Sequence, residues 1–227
     1  MELLSWFREG VKEKTSWEWM ELLLVPLFLA VGAFYLETRV ESRQEKIASD
    51  RYEQEARIAD ERAKQETLDN YLVQMQGLLL ENSLRESTED SEVRSVARAI
   101  TTTAMKELDG ARNALLLDFL RESNLIALRT EDESKVIAIL SRLNLSNANL
   151  RQVNLTGTSL SGASLIRADL RESILLYANL TDADLSRADL RAANLIDADL
   201  SEEQLKDSLL CKTKLPEGFS IDPNRDC

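Results

Sequence analysis

Hydrophobic and polar residues follow four different rhythms along the 227-residue chain. Residues 22–36 read LLLVPLFLAVGAFYL, fifteen positions without a charge, and counting from Trp19 gives eighteen with one acid, Glu21. A bilayer core about 30 Å thick takes roughly 20 helical residues. Trp6, Trp17 and Trp19 gather at one end of the run, as an interfacial aromatic belt would. The pattern predicts an interfacial segment over 1–21 and a transmembrane helix over 22–36, with a buried helix of a globular domain as the alternative. A cleaved signal peptide does not fit, because residues 1–21 carry five acids against three bases.

Residues 37–67 are almost wholly polar, with nine acids, seven bases and no Pro or Gly. Opposite charges at helical spacing (Glu53, Arg57 and Glu61; Asp60 with Lys64; Arg62 with Glu66) predict one long charged helical stalk. Val40, Ile47 and Ile58 are too sparse for a coiled-coil seam. Residues 68–137 regain helical periodicity and predict a small bundle. Leu68, Leu72, Met75 and Leu79 share one helix face with Tyr71 and Leu78 beside them. Ser87 and Asp90 form a candidate capping box before Val93, Val96, Ala97 and Ile100, and Asp109-Gly110 reads as a stop after Leu108. Leu115, Leu116, Phe119 and Leu120 mark a further helix, and Thr130 with Glu133 would cap a short one through Val136, Ile137 and Leu140.

From Leu145 leucine recurs every five residues without a miss, through Leu150, Leu155, Leu160, Leu165, Leu170, Leu175, Leu180, Leu185, Leu190 and Leu195 to Leu200. Two residues before each stands a small or apolar residue, such as Ala148, Val153, Ala163 and Ala168. A helix would spread these leucines around its circumference and a strand would alternate them between faces. The chain must therefore turn once per repeat, and a stacked coil gathers every leucine inside.

Composition narrows the chemistry. Forty acids against 28 bases give a formal charge of −12, which disfavours nucleic-acid binding. Histidine is absent, so the usual imidazole base and metal ligand are missing. No catalytic, cofactor-binding or metal-binding residues are assigned, and the expectation is a protein that is not an enzyme and carries no cofactor.

The triplets Ala168-Asp169-Leu170, Ala178-Asn179-Leu180, Ala183-Asp184-Leu185, Ala188-Asp189-Leu190, Ala193-Asn194-Leu195 and Ala198-Asp199-Leu200 resemble the A-(D/N)-L-x-x pattern of the pentapeptide-repeat family over residues 138–202. The resemblance implies a right-handed quadrilateral β-helix, four pentapeptides per coil, with the leucine and the residue two before it inward. The whole chain also resembles a membrane-anchored cyanobacterial branch of that family, through the tryptophan-flanked run and the segments EVRSVARA, LDGARNALLLDFL and LCKTKLPEG. The expected class is α+β: transmembrane helix, charged helix, small helical bundle capping the repeat, short β-helix over 138–202, and a C-terminal cap over 203–227.

In a square coil, residues twenty apart stack. Arg151, Arg171 and Arg191 then form one column and Arg167 with Arg187 a second beside it, with Asp169 and Asp189 near enough to neutralise them. Ile174, Leu176, Tyr177 and Ile196 gather at outward positions, an apolar face that the C-terminal segment, a second copy or a partner would cover. These nine residues are the candidate partner-binding positions. Cys211 and Cys227 leave three states open: a disulfide pinning the cap in an oxidising compartment, free thiols in the cytoplasm, or a metal site short of ligands. The expected function is a membrane-anchored scaffold binding an unidentified protein partner or a second copy. The alternatives are a signalling or stress regulator at the membrane and, further off, a DNA mimic or an enzyme. Bases flanking the apolar run slightly favour a cytoplasmic C-terminal side of a single-pass protein in the plasma or thylakoid membrane.

Overall fold

The computed structural model describes residues 16–126 and 137–227, so Trp6 and the cap expected at Thr130 and Glu133 lie outside the described residues. The chain divides into two compact units, residues 1–59 and 60–227. Helix α1 (Ser16–Leu80) supplies the described part of the first unit and the opening of the second; α2 (Glu92–Glu107) and α3 (Gly110–Glu122) follow.

In the first unit α1 runs through Pro26 without a break. Every residue between 24 and 59 whose burial is described is exposed, Phe28 and Phe34 among the most so. Arg39 lies over the Tyr35 ring at 5.2 Å and donates to its hydroxyl at 2.7 Å, and Arg57 pairs with Glu53 at 3.8 Å. The transmembrane expectation is corrected here: among the described residues no helix is long and apolar enough to cross a membrane. Fifteen residues at about 1.5 Å each fall short of a hydrocarbon core about 30 Å thick, and the helix continues directly into charged sequence. The same finding overturns the single-pass location inferred from that span.

In the second unit the end of α1 packs Leu68, Tyr71 and Met75 against Ala97, Thr101, Ala104 and Met105 of α2 and Leu116, Leu117 and Leu120 of α3. The buried Tyr71 hydroxyl shares a hydrogen bond with Thr101 at 3.1 Å, and its ring meets Phe119 edge-on at 6.3 Å. Burial pushes the Tyr71 hydroxyl pKa up. Glu61, expected beside Arg57, instead meets Arg112 at 2.7 Å.

Two caps differ from expectation. Ser91, rather than Ser87, caps α2 by accepting from Arg94 N, while Ser87 closes the preceding 3-10 turn Leu84–Glu86 by donating to Leu84 O at 2.6 Å. Asp109 follows the end of α2, as its pairing with Gly110 predicts, but also starts α3: its carboxylate accepts from Arg112 N at 2.9 Å. Ile137 and Leu140, expected on a helix, lie outside any helix: Ile137 is in irregular chain and Leu140 in a turn at the entry to the coil.

From residue 143 the chain winds in a stack with twenty residues per coil. Parallel bridges join residues twenty apart, from Asn144 with Ser164 to Asn194 with Lys214. Leu150 N donates to Asp169 O at 2.8 Å and Asp169 N donates back to Ala148 O at 3.0 Å, and the pattern repeats upward. The leucines from Leu145 to Leu195 and the residues two before them are buried, Thr158 and Ser173 included. The expectation of a β-helix built from strands is corrected: among the described residues the coil holds isolated bridges and no continuous strand. The reason is local. Two residues after each leucine the backbone swings to positive φ in most repeats, as at Arg167 (57°), Tyr177 (56°) and Arg187 (59°), so extended backbone ends almost where it begins.

Both ends of the stack are closed. Below, Asn113 Nδ2 donates to Asn149 O at 2.8 Å and Arg121 to Asn154 O at 2.6 Å, replacing the amides of a preceding coil. Gly110 belongs to this seam, since a Cβ there would stand 2.7 Å from Arg151 O. Above, bridging continues beyond residue 202 through Leu209 and Lys214, with Leu205 and Leu210 buried and Leu215 half-buried. Residues 222–227 then fold over the last coil, where Cys211 and Cys227 form a disulfide.

Candidate functional site

Each pentapeptide spends most of its residues on its own shape. The leucine and the residue two before it fill the interior. The residue just before the leucine is usually Asn or Asp because its side chain accepts the N–H two positions on: Asn154 from Thr156 at 3.0 Å, Asn179 from Thr181 at 2.9 Å, Asp184 from Ser186 at 2.9 Å. What remains free to vary is the pair after the leucine, which supplies every candidate residue except Ile174, and the candidates divide into two classes.

The arginine column is engaged within the molecule. Arg171 pairs with Asp169 at 2.6 Å and with Asp189 of the next coil at 3.6 Å; Arg191 pairs with Asp189 at 2.5 Å, and Arg151 with Glu172 at 2.5 Å. The Arg171 hydrogen bond holds the Asp169 carboxyl below the usual carboxylate range. At Asp189 partial burial works upward, but the bonds from Arg191 outweigh it and the carboxyl is again held low. Arg167 and Arg187 are exposed, and neither has a carboxylate within 4.0 Å among the described residues.

The apolar candidates come together on the face of Leu155, Leu175 and Leu195. Ile174 is 39% exposed and Tyr177 52%, while Leu176 and Ile196 are half-buried. Ile174 bridges Asn194, and Tyr177 N donates to Ile196 O at 3.3 Å, so the four belong to two adjoining coils. Ile174 breaks the local rule. From 144 to 199 it is the single apolar residue in the slot before the leucine, where Asn, Asp or Ser otherwise stands. An isoleucine offers the Leu176 N–H no acceptor and puts an aliphatic side chain outward.

Sequence reasoning missed Leu209, which is 41% exposed in the same slot one face back, although the leucine period continues unbroken through Leu205, Leu210 and Leu215. It also missed the seam residues Gly110, Asn113 and Arg121, which no periodicity marks. Among the described residues no group of three or more Cys, Asp or Glu is arranged to hold a metal ion. Open grooves of about 320–360 Å³ lie along the bundle and beside Asp182, Asp184 and Asp207.

A family model described as pentapeptide repeats matches residues 138–175 and 175–202. No curated protein matches the chain. Among the solved structures that resemble part of it are three pentapeptide repeat proteins. A pentapeptide repeat protein of the Arabidopsis thaliana thylakoid lumen is 26% identical with a TM-score of 0.29, over 38% of this chain and 60% of that one. The pentapeptide repeat protein Rfr23 of the cyanobacterium Cyanothece is 30% identical with a TM-score of 0.22, over 36% and 55%. HetL, a pentapeptide repeat protein of the cyanobacterium Nostoc involved in heterocyst differentiation regulation, is 30% identical with a TM-score of 0.16, over 35% and 50%. The chain thus spans half to three-fifths of these proteins. The leucine-centred coils of residues 138–202 are a pentapeptide-repeat domain.

Proposed function

We propose that this protein is a non-enzymatic scaffold that binds another protein through the coil face carrying Ile174, Leu176, Tyr177 and Ile196. Ile174 carries the proposal. A slot that in most repeats from 144 to 199 holds a side chain closing its own turn is given to an outward aliphatic group, beside an exposed tyrosine on the same coil. Places where a sequence departs from its own local rule are where a function is expected to have overridden stability, and tyrosine is a favoured anchor at protein interfaces. The two arginine columns offer less, because three of their five members are already paired with carboxylates.

The test is a double change, Ile174→Asn with Tyr177→Asn. It restores the turn acceptor and places Asn where positive φ suits it, so the melting temperature is expected to hold or rise, while proteins crosslinked to the native chain in its own extract disappear. Arg167→Gln with Arg187→Gln should leave the crosslinked set intact. Should the set survive the first pair and vanish with the second, the contact lies on the basic corner and this proposal fails.

A further inference from the structure

Residues 222–227 imitate a coil. Within the stack Leu190 N donates to Leu209 O and Ala192 N to Cys211 O. One coil higher, the equivalent Leu210 N donates to the Asp226 carboxylate and Lys212 N to Asn224 Oδ1, both at 2.9 Å. Asp226 N returns a bond to Leu210 O at 2.9 Å, and the Arg225 guanidinium donates to Leu205 O at 2.6 Å and to Ser208 O. Side chains here do what the next backbone would do.

What holds the imitation in place is narrow. Phe219 and Ile221, just before it, lean on the core, whereas no residue from 222 to 227 is buried. Ordering six residues costs backbone entropy that a handful of hydrogen bonds, most of them only part-buried, offset only in part. The disulfide closes a loop of sixteen residues in sequence and fastens the far end of the segment to the last coil. Cys227 is exposed and Cys211 half-exposed, so a reductant reaches the bond from solvent.

We infer that Cys211–Cys227 is a redox latch on this end of the stack. Oxidised, it keeps 222–227 seated as a substitute coil. A dithiol reductant supplies two electrons and two protons: the S–S bond breaks, Cys211 and Cys227 become thiols, and the dithiol closes to its own disulfide. The segment then leaves, uncovering the N–H groups of Leu210 and Lys212 and the carbonyls of Leu205 and Ser208.

Amide hydrogen exchange on the full chain, oxidised and after treatment with dithiothreitol, tests this. On reduction the amides of Leu210, Lys212 and Asp226 should exchange about tenfold faster or more, as local opening without global unfolding requires, while those of Leu170, Leu175 and Leu180 keep their protection. Cys227→Ser should show the fast pattern with no reductant. Equal protection at Leu210 and Lys212 in the oxidised, reduced and Cys227→Ser chains would mean that the hydrogen bonds suffice and would overturn the latch.

Discussion

The helices of residues 60–122 and the coils that follow bury their side chains by contrasting means. In the coils one rule acts every five residues, and each inward leucine stacks on another twenty positions away. In the bundle the inward set is irregular, and individual polar residues are committed to single tasks. Asn113 is fully buried and donates to Met105 O, Leu108 O and Asn149 O, joining α2, α3 and the coil. Repetition spreads stability over many equivalent positions, whereas a junction concentrates it in residues that nothing repeats.

The largest effect should come from breaking the rule inside the stack. Leu180→Asp puts an unpaired charge among buried leucines, and no cooperative unfolding transition of the coil should remain in urea followed by circular dichroism. Leu180→Ala should cost about 2–5 kcal/mol through its cavity. An Asp variant as stable as the native chain would refute the inward register.

Next come the seam residues. Gly110→Ala should destabilise by about 1–3 kcal/mol, because the added methyl meets a backbone carbonyl that cannot step aside. The sign is diagnostic, since Ala in place of Gly ordinarily favours a helix by up to about 1 kcal/mol. Loss of the cap through Asp109→Ala should cost about 0.5–2 kcal/mol, measured by urea unfolding.

Acid provides a smaller and more diffuse test. Asp169 and Asp189 are held low in the coil; Asp109, pushed up by partial burial, is held low overall by its bonds from Arg112. A depressed carboxyl stabilises the fold above its unfolded pKa, near 3.9, and that contribution is lost as pH falls through the folded value. The melting temperature should therefore stay level from pH 7 to about pH 5 and drop below about pH 4, with a shallower drop in Asp169→Asn. Least of all, Leu115→Ser should change stability by under about 0.5 kcal/mol, because that leucine faces water.

Legibility in the sequence followed the same division. The period of five announces which residues turn inward, because a repeated constraint leaves a repeated mark. The continuation of the stack through Leu205 and Leu210 was not read from it: the repeat was expected to end at 202, because Glu203 and the 3-10 turn Glu202–Leu205 interrupt the small-residue pattern there. The cap at Ser91 was harder to place, since Ser87, Thr88 and Ser91 all offer hydroxyls; that of Ser87 donates to Leu84 O and accepts from Arg94 Nε, while Ser91 accepts from Arg94 N. The uncharged run at 22–36 suggested a span that the helix, judged by length and apolarity, does not make. The outward residues Ile174 and Tyr177 could be named once the repeat pattern that the chain resembles was laid on the spacing. The ion pairs that occupy the arginines needed coordinates, because rotamers rather than spacing set whether Arg171 reaches Asp189.

A coil of twenty residues also makes length count in whole floors. Removing residues 163–182 would lift out one floor and bring Arg191 directly above Arg151, every face still aligned with itself. Removing only five residues would turn all floors above by a quarter, carrying Arg191 away from Arg171 and setting unlike faces over one another while the leucine interior closed as before. Insertions and losses in this domain are thus expected in steps of twenty where surface columns matter, and in steps of five where only the interior does.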